Sequence, residues 1–412
     1  MKIAFLVVSF PNLTETFILN QITGLLDRGH EVEIYALKKG NTDKIHSAVK
    51  DYLLLKRTCY LSNYKIPPNK FVRITKAAPL ILKGFIKEPK RILKALNFFR
   101  YGKRAFSLEL LYKNFPFLAK KPYDIIHCHF GPIGKRGVEL KELGIIEGKA
   151  ITAFHGSDMS LYIKEYGENI YNFLFNKCDL FLPISDKWKE KLIKMGCSQQ
   201  KIVVHRMGIN TDEFRFFPRV KNKEIKLLTV GRFVEKKGIE YGIRAVARIL
   251  KKHLNVEYNI AGDGPLKAQL EKLIEKYEVC NNIKLLGWQT QSEIMKLIQE
   301  AHVMIAPSIT SSKGDQEGIP VVLMEALATG LPVIASRHSA IPELIQDKKT
   351  GFLVPERDVD ALIERTEYLI EHPEMWEEIG RTGRKYVEEN YDIDKLNDRL
   401  EEIYEELIGE SK

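Results

Sequence analysis

The sequence predicts an α/β protein made of two doubly wound parallel-sheet domains, and three observations carry that prediction. Short apolar, β-rich runs alternate with helical patterns from end to end. The series breaks after residue 207 and restarts near Ile225. The 412 residues are enough for two ordinary hydrophobic cores.

In order, the first series reads "KIAFLVV", "EVEIYAL", "YDIIHCHF", "AITAFH", "DLFLPIS" and "KIVVH"; the second reads "IKLLTVG", "VEYNIAG", "IKLLG", "HVMIAPS" and "PVIAS". Continuous apolar strands of this kind belong to parallel sheets covered on both faces, and ligands sit at the carboxyl ends of such strands. Residues 1–207 form the first domain, the polar stretch 208–224 a linker and 225–390 the second domain, while 391–412 has the spacing of a closing helix. The opening run stops at Pro11 with no small-residue cleavage site after it, so it reads as a buried strand and not a leader. No segment reaches the ~18 apolar residues of a membrane span. After the first strand, "PNLTETF" is expected to open a helix with Asn12 as N-cap and Glu15 three positions on.

Composition is that of a globular protein, with five scattered cysteines that form no CxxC pair and indicate neither a disulfide framework nor a zinc cage. Charge is unevenly placed. Residues 65–121 hold fifteen Lys and Arg against Glu88 and Glu109, more than the whole chain's net charge of +10. In "APLILKGFIKEPKRILKALNFFRYGKRAF" apolar residues and cations interleave. Basic amphipathic helices lie on anionic membrane surfaces, although a helical hairpin with solvated lysines reads the same way. No nucleic-acid module accompanies the charge, so nucleic acid is not expected as a partner.

The stretch "GDQEGIPVVLMEALATGLPVIAS" carries the chemistry of the second domain. It predicts a helix from about Pro320 to Thr329, stopped by Gly330 and Pro332 and apolar nearly all round, with Glu325 in its middle. The helix start offers free N–H groups, those of Val321 and Val322, and a positive dipole end, with Glu317 and Gly318 just before it. Two carboxylates beside an anion seat suit a ligand that carries phosphate and hydroxyls together, since carboxylates accept hydrogen bonds from diols. A solvated Glu317 and a buried Glu325 paired with a lysine also account for the pattern. "TVGRFVEKKG" ends a strand at Gly231 and puts Arg232 and Lys237 on the next loop, where two cations can neutralise a diphosphate while contributing little to folding as exposed charges. "AGDGPLKAQL" places Gly262 and Gly264 at another strand end, allowing close backbone approach to a ligand.

Taken together, "GRFVEKKG", "AGDGP" and "EGIPVVLMEALATGLPVIAS" resemble family 4 of the glycosyltransferases, retaining enzymes of the GT-B fold, whose hallmark is a pair of glutamates separated by seven residues. "SFPNLTETFILNQITGLLDRGHEV", "HCHFGP", "FHGSD", "VVHRMGIN" and "SRHSAIPELIQDKKTGFLVP" extend the resemblance over nearly the whole chain, toward the branch that builds bacterial exopolysaccharide, including colanic acid. The resemblance implies a UDP- or GDP-sugar donor and a glycan or lipid-linked oligosaccharide acceptor, with no cofactor and no catalytic metal. By position, Glu325 matches the residue that binds the ribose diol. Glu317 with Gly318, Ile319, Pro320 and Val321 matches the donor-sugar group, and Arg232 and Lys237 match the diphosphate pair. His155, at the end of "AITAFH", matches a histidine facing the reaction centre, and His129 is a candidate on the acceptor side. The helix over 391–412 is expected to cross back to the first domain, and the protein to work in the cytoplasm, peripheral on the membrane. Two departures stand out: "SFPNLTE" lacks the Gly-Gly loop used near phosphate by many members, and Asn210 stands where an aspartate is common after "GI".

A nicotinamide oxidoreductase would need GxGxxG after a first strand, which "SFPNLTE" does not supply. A nucleotide-sugar epimerase on the same fold, or a noncatalytic membrane-associated scaffold, are the remaining rivals.

Overall fold

The computed structural model describes residues 1–12, 15–42, 45–118 and 122–409. Six strands build the first sheet: β1 (Lys2–Phe10), β2 (Glu31–Lys39), β3 (Thr58–Tyr60), β4 (Ile125–His129), β5 (Lys149–Phe154) and β6 (Leu180–Pro183). Six more build the second: β7 (Ile225–Val230), β8 (Val256–Ala261), β9 (Ile283–Gly287), β10 (Val303–Ala306), β11 (Val333–Ser336) and β12 (Phe352–Val354). All neighbours pair in parallel, in the orders β3-β2-β1-β4-β5-β6 and β12-β11-β10-β7-β8-β9. Both orders reverse beside the first strand of the domain, between β1 and β4 and between β7 and β10, where a doubly wound sheet opens its binding crevice.

The differences from the predicted strands have local causes. "KIVVH" forms only an isolated bridge from Ile202 to Phe181 at the edge of β6. The outer strands β3 and β12 are three residues each, too short to show a two-residue period. The first helix, Thr16–Asp27, begins later than expected and takes no side-chain cap; a turn from the Glu15 N–H to the Asn12 carbonyl precedes it. Leu13 and Thr14 of that expected capping pattern, Lys120 and Lys121 of the basic segment, and residues 410–412 of the closing helix lie outside the described residues.

The stretch between the sheets is pinned. The Ile209 N–H donates to the Tyr391 carbonyl and the Ile393 N–H to the Ile209 carbonyl, so the two crossings of the chain pair in parallel. Arg219 donates to the carbonyls of Ile298, Gln299 and Ala301, tying this stretch to the C-terminal end of the helix Gln291–Glu300. From Tyr391 onward the chain returns to the first domain. Helix Ile393–Gly409 lies on helix Thr16–Asp27, with Arg28 on Asp398 at 2.5 Å, Asn397 donating to the Asn20 carbonyl, and the Tyr404 hydroxyl 2.5 Å from Nδ1 of His127. One buried apolar cluster runs from β1 through Met207, Ile209, Phe214 and Tyr391 to Met304 and Leu323, joining the inner faces of both domains.

The basic segment folds as short helices after β3, the longest being Lys70–Lys87 and Pro89–Leu96. A small core of Ala77, Ile92, Leu111, Tyr112 and Leu118 holds them together. Arg104 and Lys113 tie them to Glu139 on helix Gly131–Glu142. Their outer surface leaves Phe71, Ile74, Leu82, Ile86, Phe99 and Phe106 exposed, the last two by 89% and 87%.

Candidate active site

The second-domain wall is built from the ends of β7 and β10. Beyond β7 the chain turns at Gly231, whose missing side chain lets Lys237 lie across it. A Cβ on Gly262 would meet the Gly231 carbonyl oxygen at 1.9 Å, so the packing of the β7 and β8 ends already requires glycine there. Beyond β10, residues 307–319 lead into helix Val321–Ala328. Pro320 occupies the N-cap position in an extended conformation, so the helix starts one residue later than expected and carries no side-chain cap. Gly330 at φ 76° and the bond from the Leu331 N–H to the Ala326 carbonyl end it as expected. Lys237, Ser308, Pro320 and Leu323 line a small pocket at this switch point.

Glu317 is the most constrained group of the wall. It is 8% exposed, Lys237 donates to Oε2 at 3.2 Å, and Lys236 Nζ stands 3.7 Å from Oε1. Burial by itself would raise its pKa, but Lys237 and Lys236 outweigh burial and hold the carboxyl below its ordinary value. Its peptide is gripped as firmly: the N–H donates to Nε2 of His338 at 3.1 Å and the carbonyl accepts from Ser339 Oγ at 2.7 Å. Lys237 is therefore a half-buried partner of a buried acid, where an exposed loop cation was expected. Arg232 is exposed, and among the described residues nothing accepts from its guanidinium.

Glu325 is half-buried, and among the described residues no cation or donor reaches its carboxylate. Burial, with Glu213 adding to it, pushes its carboxyl up to about 7. The lysine partner considered from the helix alone is not found among the described residues. Ile319 and Pro320 are buried, and Gly318 and Val321 partly so.

The first-domain wall meets this one backbone to backbone. A Cβ on Gly318 would lie 2.6 Å from the His155 carbonyl oxygen, and one on Gly156 would lie 2.9 Å from the Gly318 nitrogen. His155 thus stands beside the Glu317 loop, 7% exposed, flanked by Phe17 and Phe130. Its Nε2 is 3.1 Å from Nδ1 of His129, and the two rings stack at 5.3 Å. His127 stacks in turn on His129, as expected for the same strand face. Burial lowers His155 to about 3 and takes His129 well below its ordinary value, so both are neutral at pH 7. His129 has no exposed surface and meets the cleft through His155. Asp158 organises this wall, accepting from the N–H groups of His155, Gly156 and Gly131 at 3.1, 2.8 and 3.0 Å.

Lys236, Asp158, His338 and Ser339 were not singled out from the sequence. Their stretches "EKKG", "FHGSD" and "SRHSAIPE" stood out only as part of the family resemblance, because side chains that hold main chain carry no periodic signal. Among the described residues no group of three or more His, Cys, Asp or Glu is placed to hold a metal ion.

Two doubly wound parallel-sheet domains with these walls facing each other define the GT-B architecture. Solved structures share the architecture: Anabaena Alr3699/HepE in complex with UDP has a TM-score of 0.71 at 16% identity, covering 98% of this chain and 100% of that one. Sucrose-phosphate synthase from Thermosynechococcus elongatus has 0.71 at 18% identity, covering 99% of both. Residues 14–213 match the model of Glycosyltransferase Family 4 and residues 210–386 that of Glycosyl transferases group 1. WcaL of Escherichia coli strain K12, named as a colanic acid biosynthesis glycosyltransferase, is 38% identical over 99% of this chain and 100% of its own length. The amylovoran biosynthesis glycosyltransferase AmsK of Erwinia amylovora is 41% identical over 88% of this chain and 89% of its own. The chain belongs to the family 4 glycosyltransferases.

Proposed function

We propose that the protein is a retaining, metal-independent transferase that moves a sugar from a nucleotide-sugar donor to a lipid-linked oligosaccharide during the building of a bacterial extracellular polysaccharide. The observation that carries this reading is the ion pair of Lys237 and Glu317 beside the uncapped start of helix Val321–Ala328, with His155 across the cleft. The names of WcaL and AmsK support the pathway, and the UDP bound by Alr3699/HepE supports the donor class.

In this reading Glu325 accepts from the ribose diol, and Arg232, Lys237 and the helix dipole meet the diphosphate and stabilise it as it departs. The main chain of residues 317–321 lines the donor sugar. Neutral His155 offers a ring nitrogen at the reaction centre, His129 acting through it. Transfer proceeds on the front face, with the leaving phosphate helping to deprotonate the acceptor hydroxyl, and Glu317 forms no covalent intermediate. The exposed apolar and basic surface of residues 65–118 supports a peripheral position on an anionic, cytoplasmic membrane face. No described helix is long and apolar enough to cross a membrane.

Incubating purified protein with UDP- and GDP-sugars and lipid extracts tests this. Nucleoside diphosphate release coupled to glycosylated lipid is expected. Interconversion of donor sugars without an acceptor favours an epimerase, and no turnover of any donor favours a scaffold.

A further inference from the structure

Glu317 is held from behind by a short chain of buried polar groups that ends on Glu356. The direction of each bond follows from elementary chemistry. A backbone N–H can only donate, so Nε2 of His338, 3.1 Å from the Glu317 nitrogen, must be the acceptor. A neutral imidazole then carries its proton on Nδ1, which lies 2.6 Å from Oε1 of Glu356. Glu356 is fixed in turn by the Thr310 N–H at 2.8 Å and the Thr310 hydroxyl at 3.3 Å. His338 has no exposed surface, and the next residue, Ser339, sits at φ 48°, unusual for a residue other than glycine. Its hydroxyl takes the other end of the Glu317 residue, the carbonyl.

We propose that His338 is a positioning residue for sugar transfer: with Ser339 it fixes the main chain of Glu317 against the donor, and Glu356 selects the tautomer that makes this possible. The proposal rests on the donor-side reading of Glu317. It assigns the His338–Glu356 pair to the donor sugar and not to the nucleotide, because the pair holds the 317–321 segment and touches neither Arg232 nor Glu325.

The arrangement has a proton dependence that a merely structural histidine would not give to turnover. Protonated His338 would carry an N–H on both nitrogens, and Nε2 would then face the Glu317 N–H donor to donor. Burial lowers the pKa of His338 below its ordinary 6.5, opposed by Glu356 and Glu317; Lys187, from the first domain, adds to the lowering, and Arg357 pairs with Glu356. Turnover at saturating donor, where the ribose occupies Glu325, is expected to fall as pH drops through this pKa.

The test compares His338→Ala, His338→Gln, Glu356→Gln and Glu317→Ala in the full chain, using the UDP- or GDP-sugar that the wild type turns over. His338→Ala is expected to lower kcat about 10²-fold, the scale of a misplaced reacting group, with affinity for the free nucleoside diphosphate unchanged. His338→Gln, which can still accept from Glu317 but cannot gain a proton, recovers most of the turnover and loses the acid limb. Glu356→Gln moves that limb to lower pH, because the carboxylate that favours protonated His338 is gone. An acid limb in His338→Gln identical to the wild type overturns the proposal, and His338→Gln decides it if His338→Ala does not fold. Full turnover by Glu317→Ala instead overturns the donor-side reading itself, and the proposal with it.

Discussion

Lys237 and Glu317 form an ion pair in which neither charge is free to solvent: their side chains are 17% and 10% exposed and their charged atoms 3.2 Å apart. Truncating one member of such a pair leaves the other buried and uncompensated. Lys237→Ala should therefore destabilise the protein by about 2 kcal/mol, less than the ~3–5 kcal/mol of an isolated buried pair, because Lys236 remains. The sign with pH follows from the depressed pKa of Glu317. Its contribution is present above the unfolded carboxyl pKa of about 4.3 and is lost as pH falls through the lower folded value. Urea unfolding should show a large difference between wild type and variant at pH 7 that shrinks toward pH 3.

Arg232 separates folding from function. It is exposed and unpaired among the described residues, so Arg232→Ala should change stability by no more than about 0.5 kcal/mol. Turnover should nevertheless fall about 10²-fold, since a cation on the departing diphosphate acts mainly in the transition state. Matched unfolding and kinetic measurements check the pair of outcomes, and wild-type turnover in this variant would remove Arg232 from the diphosphate site.

Glu325 gives the opposite sign to Glu317. Its carboxyl is pushed up to about 7, so the folded state holds a proton that the unfolded chain has already lost, and stability falls as pH rises from about 4.3 through 7. Glu325→Gln should then be more stable than wild type at pH 8, while binding a free nucleoside diphosphate about tenfold more weakly through loss of a charged acceptor for the ribose. Binding to the wild type at pH 7 should also release a fraction of a proton, because a diol stabilises the ionised carboxylate. Calorimetry in two buffers of different ionisation enthalpy reads that release; equal apparent enthalpies would count against a ribose at Glu325.

The fold was legible wherever burial leaves a pattern. Ten of the twelve strands among the described residues announce themselves as apolar runs, because both faces of each sheet are covered; β3 and β12 are too short to do so. Glu325 was legible as a charge in an apolar helix, a local contradiction that a ligand would resolve. What could not be read was the support. His338 and Glu317 are 21 residues apart and meet only because β11 lies beside β10, and Asp158 reaches Gly131 across 27 residues. The expectation of a loosely exposed Lys237 failed for the same reason, since its partner lies 80 positions away.

The basic helices after β3 expose both cations and large apolar side chains, the two kinds of group that would draw a protein to an anionic membrane. Lys83, Lys87 and Lys90 are exposed, and Phe99 and Phe106 are nearly fully so, whereas Arg91 is spent on Glu88, Glu147 and the Phe117 carbonyl and Lys94 is half-buried. Charge alone would give binding that salt removes, because the Debye length is about 8 Å at 0.15 M salt. Apolar insertion adds a part that salt leaves intact. The protein should thus bind anionic vesicles more than neutral ones. Lys83→Gln, Lys87→Gln and Lys90→Gln together should weaken binding roughly 10²-fold, at about 1 kcal/mol for each cation near an anionic surface. Phe99→Ser with Phe106→Ser should leave binding that 0.5 M salt abolishes, where wild type retains a fraction. Both sets should spare turnover of a soluble acceptor and impair transfer to lipid. Sedimentation with vesicles of defined anionic content reads the partition, and equal partition of wild type onto anionic and neutral vesicles at low salt would leave these helices as a solvated surface.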